Sequence, residues 1–416
     1  MSVRPPIATE QLVGELHALA AISDCPEPPP AVTRIVFTET DRRAREYFIS
    51  LCNAAGLVVR CDAIGNTFAR WEGTDPTLPA VATGSHTDAI PHAGMYDGTT
   101  GVLGGLEAIR ALQRQGVTPR RAIELILFTS EEPTRFGVGC TGSRTMAGAL
   151  SPDDLRQLTD EAGHDYDTVR QQAGYKGSLS SVALQPGAYH AFVELHIEQG
   201  PLLEAAELPI GIVTAIAAPA TMEFVITGEG GHAGGVLMPV RRDALVAAAT
   251  MITRIEELAF QSGSPDLVAT VGALDVHPGA VNSIPSRVRF TLDLRDIDGK
   301  NRDATLGAID RATRQIADQR SVTLAARTLN ADPPAIADPL VVSAAREAAE
   351  QLALPYQEMV SRAYHDSLFM ARIAPTGMIF IPCRGGVSHR PDEYASPEAL
   401  QAGVETLALT LARLAE

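Results

Sequence analysis

The chain has 416 residues, more than one hydrophobic core usually supports, so two domains are expected. With 45% hydrophobic and 20% charged residues, its composition is that of a globular protein rather than a disordered one. The 50 acidic and 34 basic residues give a formal net charge of -16, which repels phosphate and argues against a nucleic-acid partner. No apolar run approaches the roughly 20 residues of a membrane helix, so no membrane partner is expected.

Predicted helices and short apolar runs alternate along the first half of the chain, as in a sheet covered by helices on both faces. Residues 1–6 lack the apolar core of a signal peptide, so a cytoplasmic location is expected. Thr9 is expected to cap a helix that ends near Ala21, and a second helix spans residues 41–55. Apolar runs that predict strands cover residues 80–83, 123–128, 192–197 and 377–381.

The order of predicted elements changes between residues 213 and 330. It becomes strand, helix, strand, strand, helix, strand, which is the ferredoxin-like order. The proline-rich stretch 332–339 then interrupts regular structure. We therefore predict an α/β protein in which residues 1–212 and 331–416 form a discontinuous domain with a mixed sheet covered by helices. Residues 213–330 are predicted to form an inserted ferredoxin-like (βαββαβ) domain.

Polar side chains follow the apolar runs of the first domain. Ligand sites in open α/β sheets lie outside the carboxyl ends of the strands, so these side chains are candidates for one shared site. They are His86 and Asp88 after the first run, Asp97 on the next glycine-flanked turn, Glu131 and Glu132 after the second run, His196 within the third and His389 after the fourth.

Imidazoles and carboxylates in this number could hold two divalent cations bridged by one carboxylate. The five cysteines are odd in number and form no Cys-x-x-Cys pair, so any metal should be held by nitrogen and oxygen. Asp97 suits the bridge because a short side chain on a turn can present both oxygens. Asp88 is better suited to hold the His86 ring than to ligate. Glu131 and Glu132 are expected to divide the roles of base and ligand.

Each of these motifs also has a purely structural explanation. A His-x-Asp pair is often only a hydrogen-bonded pair, an Asp-Gly is often only a turn, and adjacent glutamates often begin a solvated helix. Their joint placement after apolar runs favours the metal site over these separate explanations.

Several segments together resemble the amidase and carbamoylase branch of the M20 metallopeptidases. This branch holds N-carbamoyl-L-amino acid hydrolases, allantoate amidohydrolases, β-ureidopropionases and ureidoglycolate amidohydrolases. The likeness runs from about Ile22 to the C-terminus. The segments that carry it are Gly84–Asp88, Asp97–Gly98, Thr129–Glu132, Glu194–Pro201, Gly231–Gly234 and Arg241–Ala244.

Three further segments, Cys61–Thr67, His277–Ser286 and Arg362–Arg372, are most similar to the ureidoglycolate amidohydrolases of plants. The resemblance implies hydrolysis of the terminal ureido amide of a small carboxylate, with glyoxylate, ammonia and carbon dioxide as products. Allantoate and N-carbamoyl-L-amino acids are the alternative substrates. An inactive ureido-acid binding protein is the alternative from another class. A peptidase is disfavoured because His196 stands where peptidase relatives generally have aspartate.

The resemblance also implies a division of roles within the metal site. Manganese is the expected ion, and zinc remains an alternative because the same ligands bind it. In this assignment His86, Asp97 and His196 hold one ion, Asp97, Glu132 and His389 hold the other, and Glu131 is the catalytic base.

The inserted domain is implied to act as a lid and as the dimerisation domain of a homodimer. His232 is implied to reach the site of the neighbouring subunit and to stabilise the oxyanion, although a solvent-facing histidine in a glycine loop is the simpler alternative. Asn282 and Arg295 are implied to bind the substrate carboxylate. Arg295 could instead pair with an aspartate of its own strand.

The remaining predicted substrate residues, Gln199, Tyr364 and His365, lie in the first domain. Gln199 is expected to bind the ureido group through its amide. Tyr364, next to His365, stands where related enzymes tend to have glycine. Its phenol would fill space otherwise open to a longer substrate, which favours a small one.

Overall fold

The computed structural model describes residues 4–25, 27–28 and 31–416. Residues 1–3 of the segment considered above for a signal peptide lie outside this range. The chain divides into two compact units. The first comprises Met1–Thr214, Ala337–Ser361 and His365–Glu416, and the second comprises Ala215–Ile336 and Arg362–Tyr364. Within the described ranges, we find no helix with the length and apolar character needed to cross a membrane.

The first unit is a mixed sheet covered by helices. Before the insertion its elements are α1 (Thr9–Ala20), β1 (Val32–Arg34), α2 (Glu39–Ala54), β2 (Val58–Cys61), β3 (Thr67–Trp71), β4 (Val81–Ser85), β5 (Ala89–Ala93), α3 (Thr99–Arg114), β6 (Ile123–Leu127), α4 (Thr141–Met146), α5 (Pro152–Gln157), α6 (Tyr166–Gln172), β7 (Ala191–Ile197), α7 (Leu202–Ala205) and β8 (Ile210–Ile216).

The second unit begins at Ala215, within β8, and the chain returns to the first unit after β15. The elements of the second unit are β9 (Ala218–Thr227), β10 (Gly231–His232), α8 (Ala244–Phe260), β11 (Val268–His277), β12 (Ser283–Ile284), β13 (Arg287–Asp296), α9 (Gly299–Arg320), β14 (Thr323–Ala331) and β15 (Ala335–Ile336). The returning segment adds α10 (Pro339–Gln351), β16 (Tyr356–Ser361), α11 (Ser367–Met370), β17 (Thr376–Ile381) and α12 (Pro397–Leu414).

The main sheet of the first unit runs in the order β8-β17-β7-β4-β6-β3-β2, and β16 also pairs with β8. Strands β17, β7, β4 and β6 are parallel, whereas β8 and β3 pair antiparallel on either side of them. Parallel strands are buried on both faces, which explains why β4, β6, β7 and β17 are buried at every position. Their carboxyl ends therefore lie together at one edge of the sheet.

Side chains of β7 alternate between the two faces of this sheet. Val193, Leu195 and Ile197 join one buried apolar cluster with residues of α3 and α12, whereas Phe192 joins a second cluster on the opposite face. His196 has the same parity as Phe192 and so belongs to the second face. This alternation explains why a histidine can follow directly on a buried leucine.

The first helix begins differently from the sequence prediction. Thr9 is its first helical residue, and Ala8 occupies the N-cap position without a side-chain cap. The backbone N–H of Ala8 donates instead to Glu107 Oε1 at 2.7 Å. A carboxylate from α3 thus replaces the local cap that was expected from Thr9.

The second unit contains a four-stranded antiparallel sheet in the order β11-β13-β9-β14, with helices α8 and α9. Its elements follow one another as strand, helix, strand, strand, helix, strand, apart from the short pair β10 and β12 and the later β15. One face of β13 carries the predicted alternating residues, all fully buried: Val288, Phe290, Leu292 and Leu294.

This unit extends beyond residue 330, where the sequence analysis ended the insertion. Strand β15 pairs with Ala215 and Ile216, which keeps the chain in the second unit until Ile336. Residues 362–364 also belong to it, since the Tyr364 phenol donates to Asp332 Oδ2 at 3.0 Å. Side-chain contacts of this kind between distant segments leave no signal in local composition.

Candidate metal centre

Asp97 lies between three imidazoles of the first unit. Its Oδ1 is 3.2 Å from His196 Nε2 and 3.4 Å from His86 Nε2. Its Oδ2 is 3.2 Å from His389 Nε2, which lies 3.4 Å from Glu132 Oε1. Two groups of potential ligands therefore share this aspartate: His86, Asp97 and His196 form one, and Asp97, Glu132 and His389 form the other.

The parallel strands bring these side chains together. His86 directly follows β4, Glu132 follows β6, His196 is the penultimate residue of β7, and His389 lies in the loop after β17. Asp97 comes from the turn that leads into α3. The side chains predicted from strand ends thus converge at one edge of the sheet.

Gly98, next to Asp97, makes this approach possible. Its φ of +64° lies in the left-handed region, and a Cβ at this position would lie 2.4 Å from His86 Nε2. Any side chain here would be strained and would displace the imidazole. Glycine is therefore required for the turn to bring Asp97 beside His86.

Two of the imidazoles are oriented by backbone carbonyls. His86 Nδ1 donates to Asp88 O at 2.9 Å, and His196 Nδ1 donates to Ile197 O at 2.8 Å. A carbonyl oxygen can only accept, so Nδ1 carries a proton, and in the neutral form that binds a metal each ring has its lone pair on Nε2. Both Nε2 atoms then face a carboxylate oxygen. Nitrogen and oxygen are both acceptors here, and a cation between them would stabilise this arrangement.

The electrostatics of the side chains alone also favour bound positive charge. Burial, and then the charge of Asp97, raise the pKa of Glu132 to about 7, and burial raises the pKa of Glu131 well above its usual range. Burial opposes ionisation of Asp97 as well, but its contacts with the His196 and His389 imidazoles hold its pKa below the usual range. Crowded buried carboxylates beside imidazole nitrogens fit divalent cations in charge and in donor type.

Glu131 lies at the edge of this arrangement, outside both groups of potential ligands. Its Oε2 is 3.6 Å from His86 Nε2, and its Oε1 accepts a hydrogen bond from the Cys140 thiol with an Sγ–Oε1 distance of 3.4 Å. The adjacent Glu132 instead faces His389. The two glutamates therefore point to different partners.

The Asp88 carboxylate is not the hydrogen-bond partner of the His86 ring that the sequence analysis expected. Its Oδ1 lies 3.8 Å from His86 Nδ1, because the carbonyl oxygen of Asp88 occupies the acceptor position beside that nitrogen. The carboxylate accepts instead from the backbone N–H groups of Glu131, at 3.3 Å, and Glu132, at 3.0 Å. Asp88 thus joins the loop after β4 to the loop after β6.

Gln199 contacts the two groups of potential ligands directly. Its Nε2 donates to Asp97 Oδ2 at 2.7 Å and to Ser388 Oγ at 3.3 Å. Its Oε1 is buried and has no hydrogen-bond partner among the described residues. His365 is also buried, with Nε2 3.0 Å from Ser361 Oγ and its ring centroid 4.6 Å from that of His196.

The other predicted substrate residues belong to the second unit. His232 is exposed, and its Nδ1 accepts from the backbone N–H of Gly234 at 3.2 Å. Asn282 is also exposed, in the loop before β12. Arg295 makes a bidentate pair with Asp293, with distances of 2.8 and 3.2 Å, which is the alternative considered for it above.

Glu393 and Ser388 also contact Asp97 or its backbone, and neither was predicted from the sequence. Glu393 Oε1 accepts from the backbone N–H groups of Tyr96, at 2.7 Å, and Asp97, at 3.0 Å. Ser388 Oγ lies 2.9 Å from both Asp97 Oδ2 and Glu393 Oε2, and can donate to one of them. The acid four residues after His389 was the available signal, but only the folded loop brings it to Asp97.

A third group of possible ligands, Glu194, His196 and His365, lies next to the metal centre. The Ser85 hydroxyl donates to Glu194 Oε1 at 2.8 Å, and the Ser367 hydroxyl donates to Oε2 at 2.6 Å. Because both carboxylate oxygens already accept hydrogen bonds, we interpret this group as a support for the His196 ring.

Comparison with known proteins gives a consistent result. The profile of peptidase family M20/M25/M40 matches residues 82–413. The chain is 51% identical to the ureidoglycolate hydrolase of Arabidopsis thaliana over 410 residues, which is 97% of this chain and 86% of that protein. It is 42% identical to the N-carbamoyl-L-amino acid amidohydrolase of Geobacillus stearothermophilus over 94% of this chain and 95% of that protein.

Solved structures agree with these relatives. Two crystal structures of AtUAH, one in complex with (S)-hydroxyglycine and one with glyoxylate, each match with a TM-score of 0.91 and 49% identity. Each match covers 100% of this chain and 99% of the solved chain. From the family profile, the full-length relatives and these structures, the chain belongs to peptidase family M20/M25/M40, a family of metal-dependent hydrolases.

Proposed function

We propose that this protein hydrolyses the terminal ureido amide of ureidoglycolate. Water adds at the ureido carbon, and the C–N bond to the terminal nitrogen breaks, which releases ammonia and a carbamate. The carbamate loses carbon dioxide to give hydroxyglycine, which decomposes to glyoxylate and a second ammonia. The observation that carries this proposal is the 51% identity to the Arabidopsis thaliana ureidoglycolate hydrolase over 97% of this chain.

The two groups of side chains that share Asp97 would each hold one divalent cation, and manganese is the ion we propose. When bound, the cations supply a Lewis acid for the scissile carbonyl and lower the pKa of water from about 15.7 towards neutrality. The distances of 3.2 to 3.4 Å between the ligand atoms of Asp97 and the three imidazoles support this assignment.

Glu131 moves the proton in this mechanism. Its Oε2 faces the ligand groups, so this atom accepts the proton from the attacking water and passes it to the leaving nitrogen. Gln199 orients the ureido group through its amide oxygen, which is buried without a partner in the described chain. Burial of Glu131 limits the access of bulk water to its carboxylate.

The second unit is proposed to be the lid and the dimerisation domain of a cytoplasmic homodimer. Its exposed large apolar side chains support a role in association, since such side chains favour burial in an interface. His232 is proposed to act on the oxyanion of the neighbouring subunit, which its exposure permits. The most exposed apolar side chains of this unit are Leu237, Met238, Val240, Phe260, Val281 and Ile336.

Arg295 and Asn282 are proposed to bind the carboxylate of the substrate. The Arg295 guanidinium already holds the Asp293 carboxylate in a bidentate pair, which supports its fit to a planar anion. Substrate binding at this residue therefore exchanges one carboxylate for another.

The proposed reaction predicts a specific order of substrates in an ammonia-release assay. With the manganese-loaded protein, ureidoglycolate should have a kcat/KM at least about tenfold above allantoate and N-carbamoyl-L-amino acids. Two molecules of ammonia should appear for each glyoxylate. If kcat/KM is higher for an N-carbamoyl amino acid than for ureidoglycolate, the proposed substrate is wrong. The protein would then share the substrate class in the name of the Geobacillus stearothermophilus relative. Absence of turnover on the whole panel would favour a binding protein.

Tyr364 allows a test of how the substrate is selected. Its phenol donates to Asp332, so the ring is held in one position within the second unit. Tyr364→Gly should reduce the preference for ureidoglycolate over allantoate by about tenfold because it opens space for the longer substrate. Tyr364→Phe is the control and should keep the preference if the ring volume, rather than the hydroxyl, excludes allantoate. Unchanged preference in Tyr364→Gly would remove this residue from the specificity determinants.

A further inference from the structure

Cys140 is a buried cysteine beside the proposed catalytic base. It has no exposed surface, and its Sγ lies 3.4 Å from Glu131 Oε1. In the part of the chain that the structure describes, no other side chain donates a hydrogen bond to the Glu131 carboxylate. Burial, followed by the charges of Glu131 and Asp366, raises the pKa of this thiol well above its usual range. The thiol therefore keeps its proton and acts as a donor.

The backbone fixes the position of this thiol relative to Glu131. The N–H of Cys140 donates to Glu131 O at 2.8 Å, and the next N–H, of Thr141, donates to Ser130 O at 2.9 Å. Arg144 N–H in turn donates to Cys140 O at 2.8 Å. Cys140 also has a φ of +55°, in the left-handed region that non-glycine residues adopt only when the surrounding structure requires it.

The two oxygens of Glu131 consequently have different surroundings. Oε1 accepts from the thiol on the protein side, whereas Oε2 lies 3.6 Å from His86 Nε2 on the side of the metal ligands. Without the thiol, the carboxylate would be free to rotate about its terminal torsion, which is a broad rotamer. Such rotation would move Oε2 away from the proton that it has to accept.

We propose that Cys140 is a positioning residue, whose thiol holds Glu131 Oε1 so that Oε2 is presented to the attacking water. This inference rests on the proposed role of Glu131 as the base. It assigns a role in catalysis to a cysteine that the sequence alone only argued against as a metal ligand.

The test compares Cys140→Ala with Cys140→Ser in the metal-loaded enzyme. Cys140→Ala should lower kcat about ten- to a hundredfold, because small displacements of a catalytic group have effects of this size. KM and the metal content per chain should stay unchanged, since neither depends on the orientation of Glu131. Cys140→Ser restores a donor and should keep kcat within about threefold of the wild type. Equal loss in both variants, or loss of metal, would overturn the proposal.

A matched control and a double variant separate positioning from packing. Cys52 is also fully buried, but it lies in the apolar cluster around α2 and α3, so Cys52→Ala should lower the unfolding temperature without changing kcat. In the Glu131→Gln background, Cys140→Ala should cause no further loss of kcat because the group that it positions is gone. Additive losses would show a packing effect and contradict the inference. If the wild type itself shows no ureido hydrolysis, the proposed function fails instead.

Discussion

Glu131→Gln is expected to lower kcat by about a thousandfold while the protein keeps its metal. The amide has nearly the shape of the carboxylate but cannot accept the proton of the attacking water, and general bases contribute about 10²- to 10⁴-fold. Glu131 lies outside both groups of potential ligands, so metal content should not change. The measurement is kcat for ammonia release together with elemental analysis of the same dialysed sample.

Glu132→Gln is the matched control for this prediction, since it makes the same chemical change at the adjacent residue. Glu132 Oε1 lies 3.4 Å from His389 Nε2 and belongs to a ligand group. This variant should lose part of its metal and should recover activity when manganese is added in excess. If Glu131→Gln loses metal and Glu132→Gln does not, the roles of the two glutamates are exchanged.

The convergence of the ligand groups could be predicted from sequence because it depends on a regular property of parallel sheets. His86, Glu132 and His389 follow apolar runs that form parallel strands of one sheet, and parallel strands end at one edge. The pattern also predicted Asp97 as the shared residue, since a short side chain on a glycine turn can expose both oxygens. Local sequence patterns were therefore sufficient to predict the potential ligands that lie at strand ends or on a short turn.

Contacts that depend on the folded path of loops could not be predicted in the same way. The Asp88 carboxylate binds the backbone of Glu131 and Glu132, and Cys140 reaches Glu131 across a turn. Glu393 binds the backbone at Asp97 from nearly 300 positions away in the chain. Burial and hydrogen-bond direction select these partners, and neither has a periodic signature in sequence.

The shared position of Asp97 predicts an unequal loss of metal among ligand variants. Each of its oxygens faces a different group: Oδ1 lies 3.2 Å from His196 Nε2, and Oδ2 lies 3.2 Å from His389 Nε2. Asp97→Ala should therefore remove both ions and lower kcat by at least about a thousandfold, because the Lewis acid and the activated water are lost together. His196→Ala and His389→Ala should each remove one ion.

Elemental analysis after dialysis against metal-free buffer distinguishes these outcomes, with thermal unfolding as the measure of folding. Ions that bind more tightly stabilise a fold more at a given concentration, so Asp97→Ala should also show the smallest rise in unfolding temperature on addition of manganese. Gln11→Ala, on the distant helix α1, is the control and should keep both the ions and the rise. A full complement of metal in Asp97→Ala would mean that the ions are held elsewhere, because no other residue belongs to both ligand groups.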